Sequence, residues 1–482
     1  MPPKLFDVQP DPDALSPTKP IRNTKLFIDQ PARDQTTFAP RCTDELVAPD
    51  APVRALDEIM EQLDYSAFEE RYRGGGRPAW PPKLMAKLLL FSYSSGVRSA
   101  REISRRLDYD LRFIWLAHEQ RIDHQRFSEF RRSFAEQLHN LFAQTVRLAL
   151  QMGLATLELV AIDGSKIAAN ASRRMVNDEE IQRAIDKALA EAEAIDAAED
   201  ADLGDARGDE LPDELAKPEQ RLEKLQEAKA ALDESGQKCV SLTDPEAPPQ
   251  KIAGEKRPGW NGQVAVDGAS GILVGQDLVA DQNDTAQFGP MSEQALENTG
   301  LKPDAIVGDR GYHSGENLRA ADELDLNAFL PRQFRAATGR FEQADFEYDE
   351  RADEFVCPAG KRLNFRRERK RRNGPSHLLY ATSAHDCRGC PLRAECLSAR
   401  ANRRELYVSA HAALARRMAE RMDTDEGRWA MRQRKQTVEL VFGVMKSVLG
   451  LRQFLLRGLA GARVEMSLCA TAFNLRKLAA AS

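Results

Sequence analysis

Residues 157–167 (LELVAIDGSKI) form a compact apolar run that reads as a buried strand ending at Asp163. Two further strands follow after a long insertion, 263–267 (QVAVD) and 272–279 (ILVGQDLV), with Asp267-Gly268-Ala269-Ser270-Gly271 as the hairpin-type turn between them. A helix is expected over 285–296, a strand over 305–308 that stops at Asp309, a helix near 315–324 and a strand at 327–330. Strands alternating with helices imply an α/β fold with a mixed or parallel sheet covered by helices.

Before this core the pattern is helical. Leu84, Lys87, Leu88 and Phe91 recur at helical spacing, as do Phe127, Phe130, Phe134, Leu138 and Leu141. Three short helices are expected over 99–107, 111–118 and 123–134, with Ser99 and Asp123 as N-caps. With Arg101, Arg105, Arg106, Arg126, Arg131 and Arg132 turned outward, they would make a helix-turn-helix DNA reader. A solvated bundle with surface arginines fits the same residues. Residues 1–45, rich in Pro, Asp and Thr without periodicity, read as a poorly ordered arm. The last 65 or so residues return to helix.

The chain's 482 residues suffice for two or three domains, and 42% apolar with 30% charged residues excludes collagen-like and wholly disordered classes. No run of 18 apolar residues occurs; the longest candidate, 84–93, contains Lys87, so no membrane span is expected. The N-terminal residues lack a secretory signal, and a cytoplasmic location follows as an expectation. The net charge of −6 hides a division, because residues 178–234 hold 20 acidic and 7 basic residues. The remainder of the chain is basic, which suits a nucleic-acid partner. The acidic stretch has apolar stripes at Ile181, Ile185, Ala188, Leu189 and Ala192, then at Leu222, Leu225 and Leu232, and reads as a helical hairpin.

Asp163 and Asp309 each stand where an apolar strand is expected to stop, so their carboxylates could share divalent ions such as Mg²⁺. A turn former or helix cap would look the same. On the helix over 432–449, Val438, Val441, Phe442, Met445 and Val448 make the buried stripe. Lys435, Glu439, Gly443 and Lys446 lie on an adjoining face. A glutamate beside cations suits a metal-and-phosphate site, and equally an intrahelical ion pair. Cys357, Cys387, Cys390 and Cys396 crowd into 40 residues, a pattern for a closed four-thiolate Zn²⁺ site, with free thiols as the alternative.

Taken together, AIDGSKIAANAS (161–172), NGQVAVDG (261–268), VGDRGYHSGEN (307–317), VELVFGVMKSVLGLRQFLLRG (438–458) and NLRKL (474–478) resemble bacterial insertion-sequence transposases of the DDE type. The segment PPKLMAKLLLFSYSSGVRSAREISRRL is similar to the helical domain that precedes their catalytic domain. The resemblance implies a ribonuclease-H-like catalytic domain over 156–478, interrupted by the acidic hairpin (177–235) and a cysteine-rich zinc insert (340–405), after a DNA-binding domain over 46–155. It also implies Asp163, Asp309 and Glu439 as a catalytic triad holding two Mg²⁺ (or Mn²⁺) ions, with Lys446 as the lysine seven residues beyond the glutamate. Relatives often carry Tyr and Arg seven and four residues before the glutamate, where this chain has Arg432 and Lys435. The activity implied is cleavage at the element's inverted-repeat ends and transfer of the 3′-OH to target DNA. Arg105, Arg106, Arg126, Arg131, Arg132 and Lys435 are the DNA-binding candidates, on a homodimer bound to double-stranded DNA. A nuclease without strand transfer, or a non-catalytic DNA-binding descendant, shares these features.

Overall fold

The computed structural model describes residues 42–72, 78–203, 213–332, 340–371 and 374–481, so most of the arm (1–41) lies outside the described residues. The chain divides into two compact units. The first takes residues up to Asn283, Gln294–Lys302 and Lys435–Ser482, and the second takes Asp284–Glu293 and Pro303–Arg434.

The first unit begins with helices α1 (Pro52–Glu61), α2 (Ser66–Glu69), α3 (Pro82–Ser94), α4 (Ala100–Tyr109), α5 (Leu111–Leu116), α6 (His124–Ser133) and α7 (Ala135–Gln151). Both stripes expected in these helices are buried, and α3 is covered almost all round, with Lys87 inside beside Asp57 and Glu61. Asp123 caps α6 through Gln125 N, and Asp110 caps α5 through Arg112 N; Ser99 precedes α4 without a side-chain cap bond. The chain is ordered earlier than expected. A 3₁₀ turn at Thr43–Leu46 is tied down by Asp44, which accepts from Arg54 Nη1 (2.8 Å) and Trp115 Nε1 (3.1 Å).

Strand β1 (Val160–Ala168) follows, then α8 (Asp178–Leu203) and α9 (Asp213–Ser235), then β2 (Pro249–Ile252), β3 (Glu255–Asp267) and β4 (Leu273–Val279). The long β3 pairs antiparallel with all three other strands: with β2 at its start, and with β1 and β4 further along. One expectation is corrected here. Asp163 does not end its strand but sits mid-strand opposite Val264, because backbone pairing with β3 continues to Ala168 through residues 163–166, which are only half-buried. Helices α8 and α9 pack through Ile181, Ile185, Leu225, Ala228 and Leu232 over Val176 and Val240. Leu189, expected in that stripe, is 43% exposed.

The last helix, α16 (Gly458–Ala481), is buried from Val464 to Leu475 without a break. Such a helix needs cover all round, and α16 finds it against α1, α3, α7 and β4. Buried Asn474 joins the layers: its Oδ1 accepts Leu273 N (2.9 Å), and its Nδ2 donates to Leu273 O (2.8 Å) and Thr145 Oγ1 (3.2 Å).

The boundary between the units falls within α10 (Phe288–Thr299) and again within α15 (Asp425–Ser447). The second unit contains β5 (Ile306–Val307) and β6 (Ala328–Phe329), paired parallel, with α11 (Gly315–Glu323) between them. A five-stranded antiparallel sheet follows, ordered β11-β10-β9-β8-β7, from β7 (Glu347–Asp349), β8 (Glu354–Val356), β9 (Arg362–Arg371), β10 (Gly374–Ala381) and β11 (Glu405–Ser409). Phe346, Phe355, Leu363, Tyr380, Leu406 and Val408 are its core. Short helices α12 (Ala384–Arg388) and α13 (Arg393–Cys396) lie between β10 and β11, and α14 (Ala412–Met422) packs on α11 and β6. Among the described residues, no helix is long and apolar enough to cross a membrane.

Candidate active site

In the first unit, β1 and the end of α15 bring two distant motifs together. Val438, Val441, Phe442 and Met445 bury one face of α15; Val448, expected with them, is 45% exposed, and Leu449 takes the covered position. That packing aims Lys446 at β1, where its Nζ donates to Ser165 Oγ at 2.5 Å. Burial pushes the Lys446 ammonium below the usual lysine range, and the nearby Asp163 carboxylate opposes that shift. Asp163 and Ser165 are two apart on a strand and so share a face. Ser165 was missed from sequence, although this alternation was the signal that could have found it. Glu439 stands on α15 two turns before Lys446 and is exposed, as is Lys435.

In the second unit, Asp309 follows β5 as expected and caps the 3₁₀ turn Arg310–Tyr312, its Oδ1 accepting from Gly311 N at 2.6 Å. A Cβ added to Gly311 would lie 2.9 Å from Asp309 Oδ1 and 3.6 Å from Asp284 Oδ2, so two carboxylates flank this glycine. Arg434 Nη2 stands 3.9 Å from Asp309 Oδ2. Neither Asp284 nor Arg434 was singled out from sequence, since nothing in their spacing marks them. Carboxylate oxygens are the hard donors that Mg²⁺ takes, so the donor chemistry at Asp163, Asp309 and Glu439 fits that ion. Asp267 is a structural group: fully buried, it accepts Leu157 N, Ser270 N and Ser270 Oγ.

Cys357, Cys387, Cys390 and Cys396 all line one small cavity of about 20 Å³ with Thr382, Asp386 and Arg404. Burial pushes the Cys396 thiol up, Arg404 opposes this, and the other three cysteines add to the rise, so the four sulfurs sense one another. Four soft sulfurs fit Zn²⁺ as a donor set. Among the described residues, no three His, Cys, Asp or Glu side chains already stand in ligating geometry.

The arginines of α4 and α6 divide. Arg105 is 71% exposed beside Glu102, Arg126 is 58% exposed beside Glu129, and Arg132 is exposed. Arg106 is more covered, between Glu102 and Asp110. Arg131 corrects the expectation of an outward row. It is 4% exposed and its Nη1 donates to Tyr93 Oη and Arg98 O, both at 3.1 Å. It lies on the buried side of α6 with Phe127 and Phe130, three or four residues apart on one helical face.

Comparison with known proteins finds two families. Residues 356–479 match the family described as Transposase DDE domain, a span holding the four cysteines, Glu439 and Lys446. Residues 41–133 match the family described as Transposase domain (DUF772), a span holding α1 to α6. Asp163 and Asp309 lie between the matched spans. No curated protein and no solved structure matches the chain. The two matches, a transposase domain followed by a transposase DDE domain, support an insertion-sequence transposase of the DDE type.

Proposed function

We propose that this transposase binds double-stranded DNA at the inverted-repeat ends of its element, hydrolyses a phosphodiester there and joins the freed 3′-OH to target DNA. The observation that supports this most is the cluster of Asp163, Ser165 and Lys446, which joins residues far apart in sequence on one strand face. Asp163, Asp309 and Glu439 would hold two Mg²⁺ or Mn²⁺ ions, which when bound activate an oxygen nucleophile and neutralise charge on the leaving oxygen. Lys446, held by Ser165, offers a fixed cation to a phosphate oxygen. The exposed Arg105, Arg126, Arg132 and Lys435, with the half-buried Arg106, would neutralise the DNA backbone, making affinity steeply salt-dependent. The mixed α/β architecture is consistent with a ribonuclease-H-like catalytic domain over 156–478. Cys357, Cys387, Cys390 and Cys396 would hold a structural Zn²⁺ in the 340–405 insert. A homodimer on DNA, working in the cytoplasm, completes the reading.

The test is incubation with DNA carrying the element's ends, in Mg²⁺ or Mn²⁺, followed by sequencing of the products. Asp163→Asn, Asp309→Asn and Glu439→Gln should each cut cleavage by about 10²–10³-fold or more, with DNA binding near normal. Wild-type cleavage by Glu439→Gln would remove that glutamate from the site. Cut ends without joined product would make the protein a nuclease instead.

A further inference from the structure

We infer that Arg98 is a positioning residue for strand cleavage, clamping the turn after α15 so that Lys446 stays registered on β1. The inference rests on the transposase reading. Arg98 lies between α3 and α4, and its side chain, 9% exposed, pairs with the fully buried Glu465 of α16. The same guanidinium donates to Gln453 O at 3.0 Å and Gly450 O at 2.6 Å. The second oxygen of Glu465 accepts Leu455 N (2.8 Å) and Leu456 N (3.1 Å). One ion pair therefore grips residues 450–456 at both ends.

That segment is bonded in turn to the reacting elements. Phe454 N donates to Ala168 O (2.9 Å) and Gln453 Nε2 to Ala169 O (3.0 Å), at and just beyond the end of β1. Leu451 N donates to Met445 O (2.9 Å) and Arg452 Nε to Lys446 O (3.2 Å), at the end of α15. A slip of the turn would thus move Lys446 along the strand that carries Asp163 and Ser165. The grip also reaches the helices matched to the transposase domain, because Arg131 of α6 holds the backbone carbonyl of Arg98. Two residues earlier, Gly96 has φ +75°, and a Cβ there would lie 2.7 Å from Val448 O. Only a glycine lets the chain approach the residue after α15 so closely in that conformation.

Arg98→Lys tests this, since an ammonium can answer Glu465 but lacks the planar fork that also reaches two carbonyls. Cleavage at saturating DNA should fall about tenfold or more, while half-saturation by DNA stays close to wild type and the protein remains folded at the assay temperature. Amide hydrogen exchange at Phe454, Leu455 and Leu456 should quicken about tenfold without DNA, with α7 unchanged. Gly96→Ala, which leaves the ion pair intact, should lose cleavage in the same way. Wild-type cleavage and exchange in Arg98→Lys would overturn the inference. So would a cleavage loss matched by an equal loss of DNA affinity, which would make Arg98 a DNA contact. Wild-type protein that cuts no DNA would overturn the transposase mechanism; unchanged exchange in Arg98→Lys would then overturn the clamp as well.

Discussion

Arg131 and Arg132 are adjacent in sequence and opposite in environment. A 100° step along a helix carries one guanidinium into the bundle and leaves the next in water. Arg131 is bonded to Tyr93 and to a backbone carbonyl, so Arg131→Ala leaves a buried phenol and carbonyl short of a donor. It should lower unfolding free energy by about 2 kcal/mol, read from urea denaturation. Arg132→Ala should change stability by no more than about 0.5 kcal/mol, yet flatten the salt dependence of DNA binding. Equal stability of the two variants would mean that Arg131 is not held as described. The same contrast explains what was legible here. Composition showed an arginine-rich stretch, but which arginines face water depends on where Phe127 and Phe130 pack.

At the scale of elements, α8 and α9 have their own small core and rise from a closed base. Val176 and Val240 exchange both backbone bonds at 2.9 Å, so their Cα atoms are about 5.5 Å apart. A two-residue turn can close that gap. Replacing residues 178–238 with a short glycine-containing linker should leave the remaining fold and cleavage intact, checked by melting and by product analysis. Removing so much negative charge should also tighten DNA binding at low salt. Loss of cleavage with the fold retained would show that these helices serve the reaction. In the second unit the four cysteines come from the β8–β9 connection, α12, the α12–α13 connection and α13, and meet at one cavity. If the four thiolates hold Zn²⁺ as proposed, Cys390→Ser should lower both bound zinc and the melting temperature, measured by elemental analysis and calorimetry; full zinc content would mean that other ligands hold it.

For the first unit as a whole, α16 is the element on which the helices and the sheet both depend. Leu475 is fully buried, so Leu475→Ala should cost about 3 kcal/mol through lost burial and a cavity. Because one helix covers α3, α7 and β4, the N-terminal helices and the strands should lose stability together, in a single transition. Hydrogen exchange that loosens only one of the two groups would show that they are independent.

Periodicity in the sequence determined the elements. The 3.6-residue stripes of α3, α6 and α7 and the apolar runs of β1, β4 and β5 follow local chain geometry, so they are visible without a fold. Spacing likewise gathered the four cysteines, and Lys446 was marked by its place on a helix. Tertiary structure decided what local pattern cannot carry. Strand pairing with β3 extended β1 past Asp163 to Ala168, because half-buried polar residues can still share backbone bonds with a neighbour. Ser165 became Lys446's partner only when β1 and α15 packed together. Asp284 came beside Asp309 through the chain's path, with no motif to announce it. The helix at the C-terminus was legible as a helix. That it would be the shared core of the N-terminal helices and the sheet was not, since a helix with no single apolar stripe names no partner until the chain has folded around it.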